Sequence, residues 1–222
     1  MTALYQTEYD TPDMNLAQQL LRTFSVQIRP QEPFRLTSGR LSPVYVDVRR
    51  LISFPQIRTE IIDSFARIAQ ERIGLSQIDV VAGGETAGIA YAALLAEKLN
   101  KSMIYVRKEP KGYGKSSQIE GVLEPGQHVL LVEDLVTDGG SKLNFQRGIE
   151  SAGGTVHHCL CVFEYFSREA GLHRARDTLR EHGIELHSLV TWDEVLSVAR
   201  AEKTLTDDEI AVVVRFLTEL AA

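Results

Sequence analysis

The segment Val129 to Ser141, VLLVEDLVTDGGS, carries the clearest chemistry in the chain. Glu133 and Asp134, at the end of an apolar strand-like run, can accept hydrogen bonds from a vicinal diol. Gly139 and Gly140 let backbone N–H groups approach an anion closely, and the hydroxyls of Thr137 and Ser141 add donors. A helix beginning near Ser141 contributes its positive end. Asp138 suits an anion loop only if its carboxylate turns away from the anion. A tight turn followed by helix-start charges would explain the acids or the glycines separately. It does not explain hydroxyl, acid, two glycines and hydroxyl at this spacing, so the segment is read as a site for a sugar phosphate.

Two further segments fit an anionic ligand. Gly83-Gly84-Glu85-Thr86-Ala87-Gly88 follows a strand-like run and opens a helix, so its amides could meet a phosphate. Taken alone, a glycine-rich turn with Thr86 as helix cap explains it equally well. Arg107 to Lys115, RKEPKGYGK, places four cations (Arg107, Lys108, Lys111, Lys115) in nine residues of an acidic protein. A solvated charge run is the ordinary explanation, but this one is glycine-punctuated and follows a strand. Such a loop can close over an anionic leaving group and exclude water. It is not a nucleotide P-loop, because Glu109 stands where that pattern needs a glycine five residues before Gly114.

These segments need elements to hold them. Leu16, Leu20, Leu21, Phe24 and Ile28 recur at helical spacing, which predicts a helix from Met14 to Ile28, stopped by Pro30 and Pro33. FRLTSGRLSPVYVDVRRLIS reads as a small β element, a flap. After Pro55 an amphipathic helix runs to Gly74. Strand-like runs at 78–82, 102–106, 128–133 and 155–163 then alternate with helices, among them Ala87–Leu99. Short apolar strands alternating with helices predict a mostly parallel sheet covered on both faces, with ligands beyond the carboxyl ends of the strands. Thr206 and Glu209 form a capping box before a final apolar helix. The expected organisation is one α/β domain over 1–222: a helix-plus-β hood over about 14–54, a core over about 55–190 and C-terminal helices over about 191–222.

Composition narrows the partners. A net charge of −6 argues against bulk attraction to nucleic acid or an anionic membrane. No apolar run reaches the ~20 residues of a membrane span, and the first residues lack signal-peptide character, so a cytoplasmic location is expected. Cys159 and Cys161 stand two apart without the usual disulfide geometry. The run HHCLC looks metal-like, yet strand alternation would put only His157, Cys159 and Cys161 on one face, and they read as packed strand residues.

The segment VLLVEDLVTDGGS resembles the phosphoribosyl pyrophosphate signature of type I phosphoribosyltransferases, with Asp138 where a second threonine is common. FRLTSGRLSPVYVDVR, YVRKEPKGYGKSSQIEG and VFEY extend the resemblance, over roughly residues 34 to 195, to the orotate phosphoribosyltransferases. That resemblance implies a type I fold with a hood, and transfer of ribose 5-phosphate from phosphoribosyl pyrophosphate to orotate with Mg²⁺ held mainly by the substrate. It implies that Lys111, Arg107 and Asp134 are catalytic. Glu133, Asp134, Thr137, Asp138, Gly139, Gly140, Ser141, Arg107, Lys108, Lys111, Tyr113, Glu85 and Thr86 would bind phosphoribosyl pyrophosphate. Ser38, Gly39, Tyr45, Thr137 and Tyr165 would meet orotate. It also implies a homodimer whose basic loop reaches the partner's site. Tyr113 replaces a common histidine, and Thr37 and Tyr165 replace a lysine and an arginine of one branch, which marks a different branch. Two other readings use the same pocket: a non-catalytic phosphoribosyl pyrophosphate sensor, and an enzyme for another base.

Overall fold

A computed structural model describes residues 15–36, 39–110 and 118–221. Ser38, Lys111 and Tyr113, three of the expected site residues, lie outside them. The chain begins with α1 (Leu16–Arg22), β1 (Val26–Ile28), β2 (Phe34–Arg35), β3 (Leu41–Ser42) and β4 (Val44–Val46), followed by a 3₁₀ turn at Val48–Ser53. β1 pairs antiparallel with β4, and β2 with β3, forming the hood. The single helix expected through Ile28 is therefore two elements. Phe24 adopts a left-handed conformation (φ 56°), and Val26, Gln27 and Ile28 pair with Val46, Tyr45 and Val44. Helical spacing of apolar residues could not reveal a partner strand some twenty residues away.

The core follows as α2 (Pro55–Ile68), β5 (Val80–Gly84), α3 (Gly88–Leu99), β6 (Ser102–Val106), β7 (Ile119–Glu120), β8 (His128–Val136), α4 (Gly140–Ser151), β9 (Thr155–Glu164), α5 (Arg174–Glu181) and β10 (Glu185–Thr191). α6 (Trp192–Ala201) and α7 (Asp207–Ala221) complete the described chain. The expected capping box is present: Thr206 and Glu209 exchange hydrogen bonds at 2.9 to 3.3 Å. The central sheet has the order β10-β9-β8-β5-β6-β7 and is parallel except for β7.

Alternation along the buried strands feeds two apolar layers. Val81, Leu130, Val132, Leu160 and Val162 face α1, α2, α3, α6 and α7. Val80, Ala82, Leu131, Cys159 and Cys161 face α4 and α5. Both cysteines are thus core residues and free thiols. The register of β9 slips against β8 so that Val129 meets Val156 and Leu130 meets His158. His157 falls in that bulge and is exposed, away from the cysteines with which simple alternation grouped it.

Candidate active site

The sequence placed the acidic pair at the end of a strand over 128–133; β8 instead continues through both acids to Val136. Alternation then sends Glu133 and Asp134 to opposite sides of the strand, and their environments diverge. Glu133 is buried, and its Oε2 lies 2.8 Å from Nζ of Lys142, which is buried too. Nζ also donates to the Leu135 carbonyl at 2.6 Å. Glu133 Oε1 is buried without a hydrogen-bond partner among the described residues. Asp134 is only partly buried and looks toward Arg49. Burial pushes both carboxyls above their ordinary range, and the Lys142 ammonium works against that rise in each.

Gly84 and Gly88 are needed for this packing. A Cβ at Gly84 would stand 1.8 Å from Glu133 Oε1 and 2.5 Å from the Phe145 ring, and one at Gly88 would stand 2.4 Å from the Val132 carbonyl oxygen. Gly84, ending β5, and Gly88, opening α3, thus let the loop Glu85–Ala87 approach the acidic strand closely. The Glu85–Thr86 peptide is cis. Glu85 accepts the Lys108 N–H at 2.8 Å, joining this loop to the start of the basic one.

Beyond β8, Gly139 takes a left-handed conformation (φ 86°) and is the N-cap of α4. Asp138 Oδ1 accepts the Gly140 N–H at 2.9 Å, so its carboxylate is folded onto the loop's own backbone and occupies one of the donors an anion would use. Asp138→Asn keeps an acceptor there and removes a charge worth about 1 kcal/mol against an anion some 4 Å away in water. For the sugar phosphate that the sequence leads one to expect in this loop, the expected result is a KM lowered by about fivefold, read from initial rates; an unchanged or raised KM would show that the charge does not oppose the phosphate.

Two cavities meet at this loop. One of about 770 Å³ is lined by Asp47, Arg49, Glu85, Thr86, Lys108, Glu133, Asp134, Thr137, Ser141 and Lys142. The other, of about 350 Å³, lies under the hood between Tyr45, Asp138, Tyr165, Phe216, Arg40 and Arg174. Val46 and Thr137 border both. Gly39 is at the hairpin end, its N–H bonded to the Leu36 carbonyl at 2.8 Å. Arg107 does not line either cavity; its guanidinium lies 3.6 Å from Glu120 on β7.

Sequence reasoning missed Lys142 and the hood-side pair Arg40 and Arg174, and it knew Arg49 only as the end of the flap run, whereas Arg49 lines the larger cavity with Asp134. Lys142 had a signal: it shares the i, i+3, i+7 stripe of α4 with buried Phe145 and Ile149, and a lysine on a buried stripe requires a partner. Arg174 is brought in from α5, far along the chain, and nothing local announced it.

A parallel sheet ending in an acidic strand, a phosphate-sized glycine loop at a helix start and an adjoining hooded cavity define a phosphoribosyltransferase. The family model for the phosphoribosyl transferase domain matches residues 55–174. An orotate phosphoribosyltransferase of Cereibacter sphaeroides is 48% identical over 91% of this chain and 85% of its own length. One of Rhizobium meliloti is 46% identical over 87% of this chain and 84% of its own. The crystal structure of orotate phosphoribosyltransferase from Aeropyrum pernix superposes with a TM-score of 0.70 and 31% identity, covering 84% of this chain and 98% of that one. This chain belongs to the orotate phosphoribosyltransferase family.

Proposed function

We propose that the protein transfers the 5-phosphoribosyl group from phosphoribosyl pyrophosphate to orotate, giving orotidine 5'-phosphate and pyrophosphate, as a cytoplasmic homodimer in pyrimidine biosynthesis. The observation that carries this reading is the meeting of the two cavities at Thr137. A donor held by the larger cavity and a planar base held under the hood would face each other across that residue.

In this reading the N–H groups and hydroxyls from Thr137 to Ser141 take the 5-phosphate and Asp134 takes the ribose hydroxyls, while Glu133, buried on the other side of β8, holds Lys142 in place behind them. As the bond from C1 to pyrophosphate breaks, positive charge grows on the ribose, and Asp134 stands where it stabilises that charge. Lys108, on the cavity wall, and Lys111 answer the charge of the departing pyrophosphate, Arg107 joining them only on leaving Glu120, and the Glu85 and Thr86 loop positions its phosphates. Orotate N1 then attacks from the hood side, where Tyr45 and Tyr165 flank the base and Gly39 closes the hairpin above it. The donor set on the cavity wall, carboxylate oxygen without thiolate or imidazole, suits Mg²⁺, with Asp134 beside a cation held mostly by the substrate's own oxygens. Mg²⁺ would neutralise phosphate charge.

The carboxylate of orotate distinguishes it from uracil, and Arg174 is the cation at the hood cavity without a charged partner among the described residues. Arg174→Ala is expected to raise the KM for orotate by about tenfold or more, the value of a lost charged hydrogen bond, with the KM for phosphoribosyl pyrophosphate unchanged. An equal rise in both would remove Arg174 from base recognition.

The direct test supplies phosphoribosyl pyrophosphate and Mg²⁺ with orotate, uracil or hypoxanthine and measures base consumption and pyrophosphate release. Turnover with orotate alone is expected. Binding without turnover for every base would favour the sensor, and turnover only with another base would replace the acceptor. For the dimer, mixing Lys111→Ala with Asp134→Ala is expected to restore about a quarter of wild-type activity, since half of randomly mixed two-fold dimers are mixed and each of those has one intact site. No recovery despite confirmed mixed dimers would overturn a loop acting in trans.

A further inference from the structure

At the opposite end of the sheet from the reaction, three side chains converge between β9 and β10. Glu185 pairs in register with His158, and Glu185 and His187 share a face of β10. His158 Nδ1 lies 3.2 Å from His187 Nε2 and 3.7 Å from Glu185 Oε2. All three ligand atoms fall within 4.8 Å of one another. A tetrahedral site with bonds of about 2.0 to 2.1 Å requires ligand atoms about 3.3 Å apart, so two of the observed separations already approach it.

We propose that His158, Glu185 and His187 form a binding site for a divalent transition ion, with Zn²⁺ the ion that fits, clipping edge strand β10 to β9. Two imidazole nitrogens and one carboxylate oxygen are ligands of borderline softness, which favours Zn²⁺ over Mg²⁺ or Ca²⁺. His187 is buried and His158 is partly so, while the Glu185 side chain is open to solvent, beside a surface cavity of about 620 Å³ from which a water could complete the coordination. Two arginines border the same cavity, and both have acidic partners: Arg176 pairs with Glu164 at 2.8 Å and Arg180 with Asp177 at 3.4 Å. From His158 to the active end of β9 at Glu164 is six residues, about 20 Å at 3.3 Å per residue. The site is therefore structural: it ties down a strand whose far side has no neighbour in the sheet among the described residues.

The test uses the full chain without an affinity tag, stripped with a chelator and free of phosphoribosyl pyrophosphate, titrated with Zn²⁺ in competition with a chromophoric chelator. One ion per chain is expected, bound at about micromolar Kd or tighter. His158→Ala and His187→Ala are expected to abolish uptake, and Glu185→Ala, an exposed position whose change spares the fold, to weaken it by about tenfold or more. At the same Zn²⁺ concentration the Tm of the wild type should rise more than that of Glu185→Ala, while Asp134→Asn should bind Zn²⁺ as the wild type does. No stoichiometric uptake would reduce the cluster to a hydrogen-bonded histidine pair, and uptake unchanged in both Glu185→Ala and His187→Ala, or lost in Asp134→Asn, would place the ion elsewhere; each overturns the proposal.

Discussion

Replacing Asp134 with asparagine is expected to lower kcat/KM for phosphoribosyl pyrophosphate by about a hundred- to ten-thousand-fold with the fold intact. A hydrogen bond to a charged group is worth about 1.5 to 3 kcal/mol, and the ribose offers Asp134 two hydroxyls; about 3 to 6 kcal/mol is two to four decades in rate. The carboxylate matters more as positive charge develops on the sugar, so kcat should fall along with kcat/KM. The pH dependence follows from the environment of the residue. Burial raises the Asp134 carboxyl above its ordinary range, so the active, ionised form is lost as pH falls through a value higher than a free aspartate would show. The acid limb of kcat/KM should therefore lie above the usual carboxylate range. Stability runs the other way: the folded state holds this proton more tightly than the unfolded chain, so the group's ionisation costs stability as pH rises through its folded value. Asp134→Asn should remove that cost and be at least as stable as the wild type at neutral pH. A rate within threefold of wild type, with the acid limb unmoved, would exclude Asp134 from the reaction.

How much of this was legible in sequence depended on how far each partner lies along the chain. The runs at 78–82, 102–106, 128–133 and 155–163 were legible because strands buried on both faces are nearly continuous in apolar residues, and β5, β6, β8 and β9 fall there. The glycine loop was legible because all of its parts are contiguous. The divergence of Glu133 from Asp134 was not, because it depends on β8 continuing three residues beyond the expected end, held by pairs such as Leu135 with Phe163 and Val136 with Glu164. The break of α1 before β1 was hidden for the same reason, its cause being the distant strand β4. The hood cavity draws Tyr45, Tyr165, Arg174 and Phe216 from four separate elements or their junctions, and no local spacing joins them. His158 looked like one residue of a metal-like run, but its companions Glu185 and His187 come from the next strand.

Lys142→Met is expected to produce the largest loss of stability of any single change near the site, about 3 to 5 kcal/mol by urea denaturation, because it leaves the Glu133 charge buried and unpaired. The side chain of Glu133 is 7% exposed and that of Lys142 is 6%, so neither can recover its lost partner from water. Met preserves the unbranched stem and its packing, which confines the effect to the charge and to the bond with the Leu135 carbonyl. If the pair is the cause, Glu133→Gln should relieve much of the defect. The double variant would then be more stable than the sum of the single losses implies by about 2 kcal/mol, and losses that add to within about 0.5 kcal/mol would show that the two residues do not act as a pair. The same substitution reaches the chemistry through a second route. The Lys142 ammonium restrains the rise of the Asp134 carboxyl, so its removal should move the acid limb of kcat/KM to still higher pH. A lysine that served only to fill the α4 stripe would leave that limb where it is. The pH profile therefore separates an electrostatic role at the ribose site from a purely structural one, even where both variants lose stability.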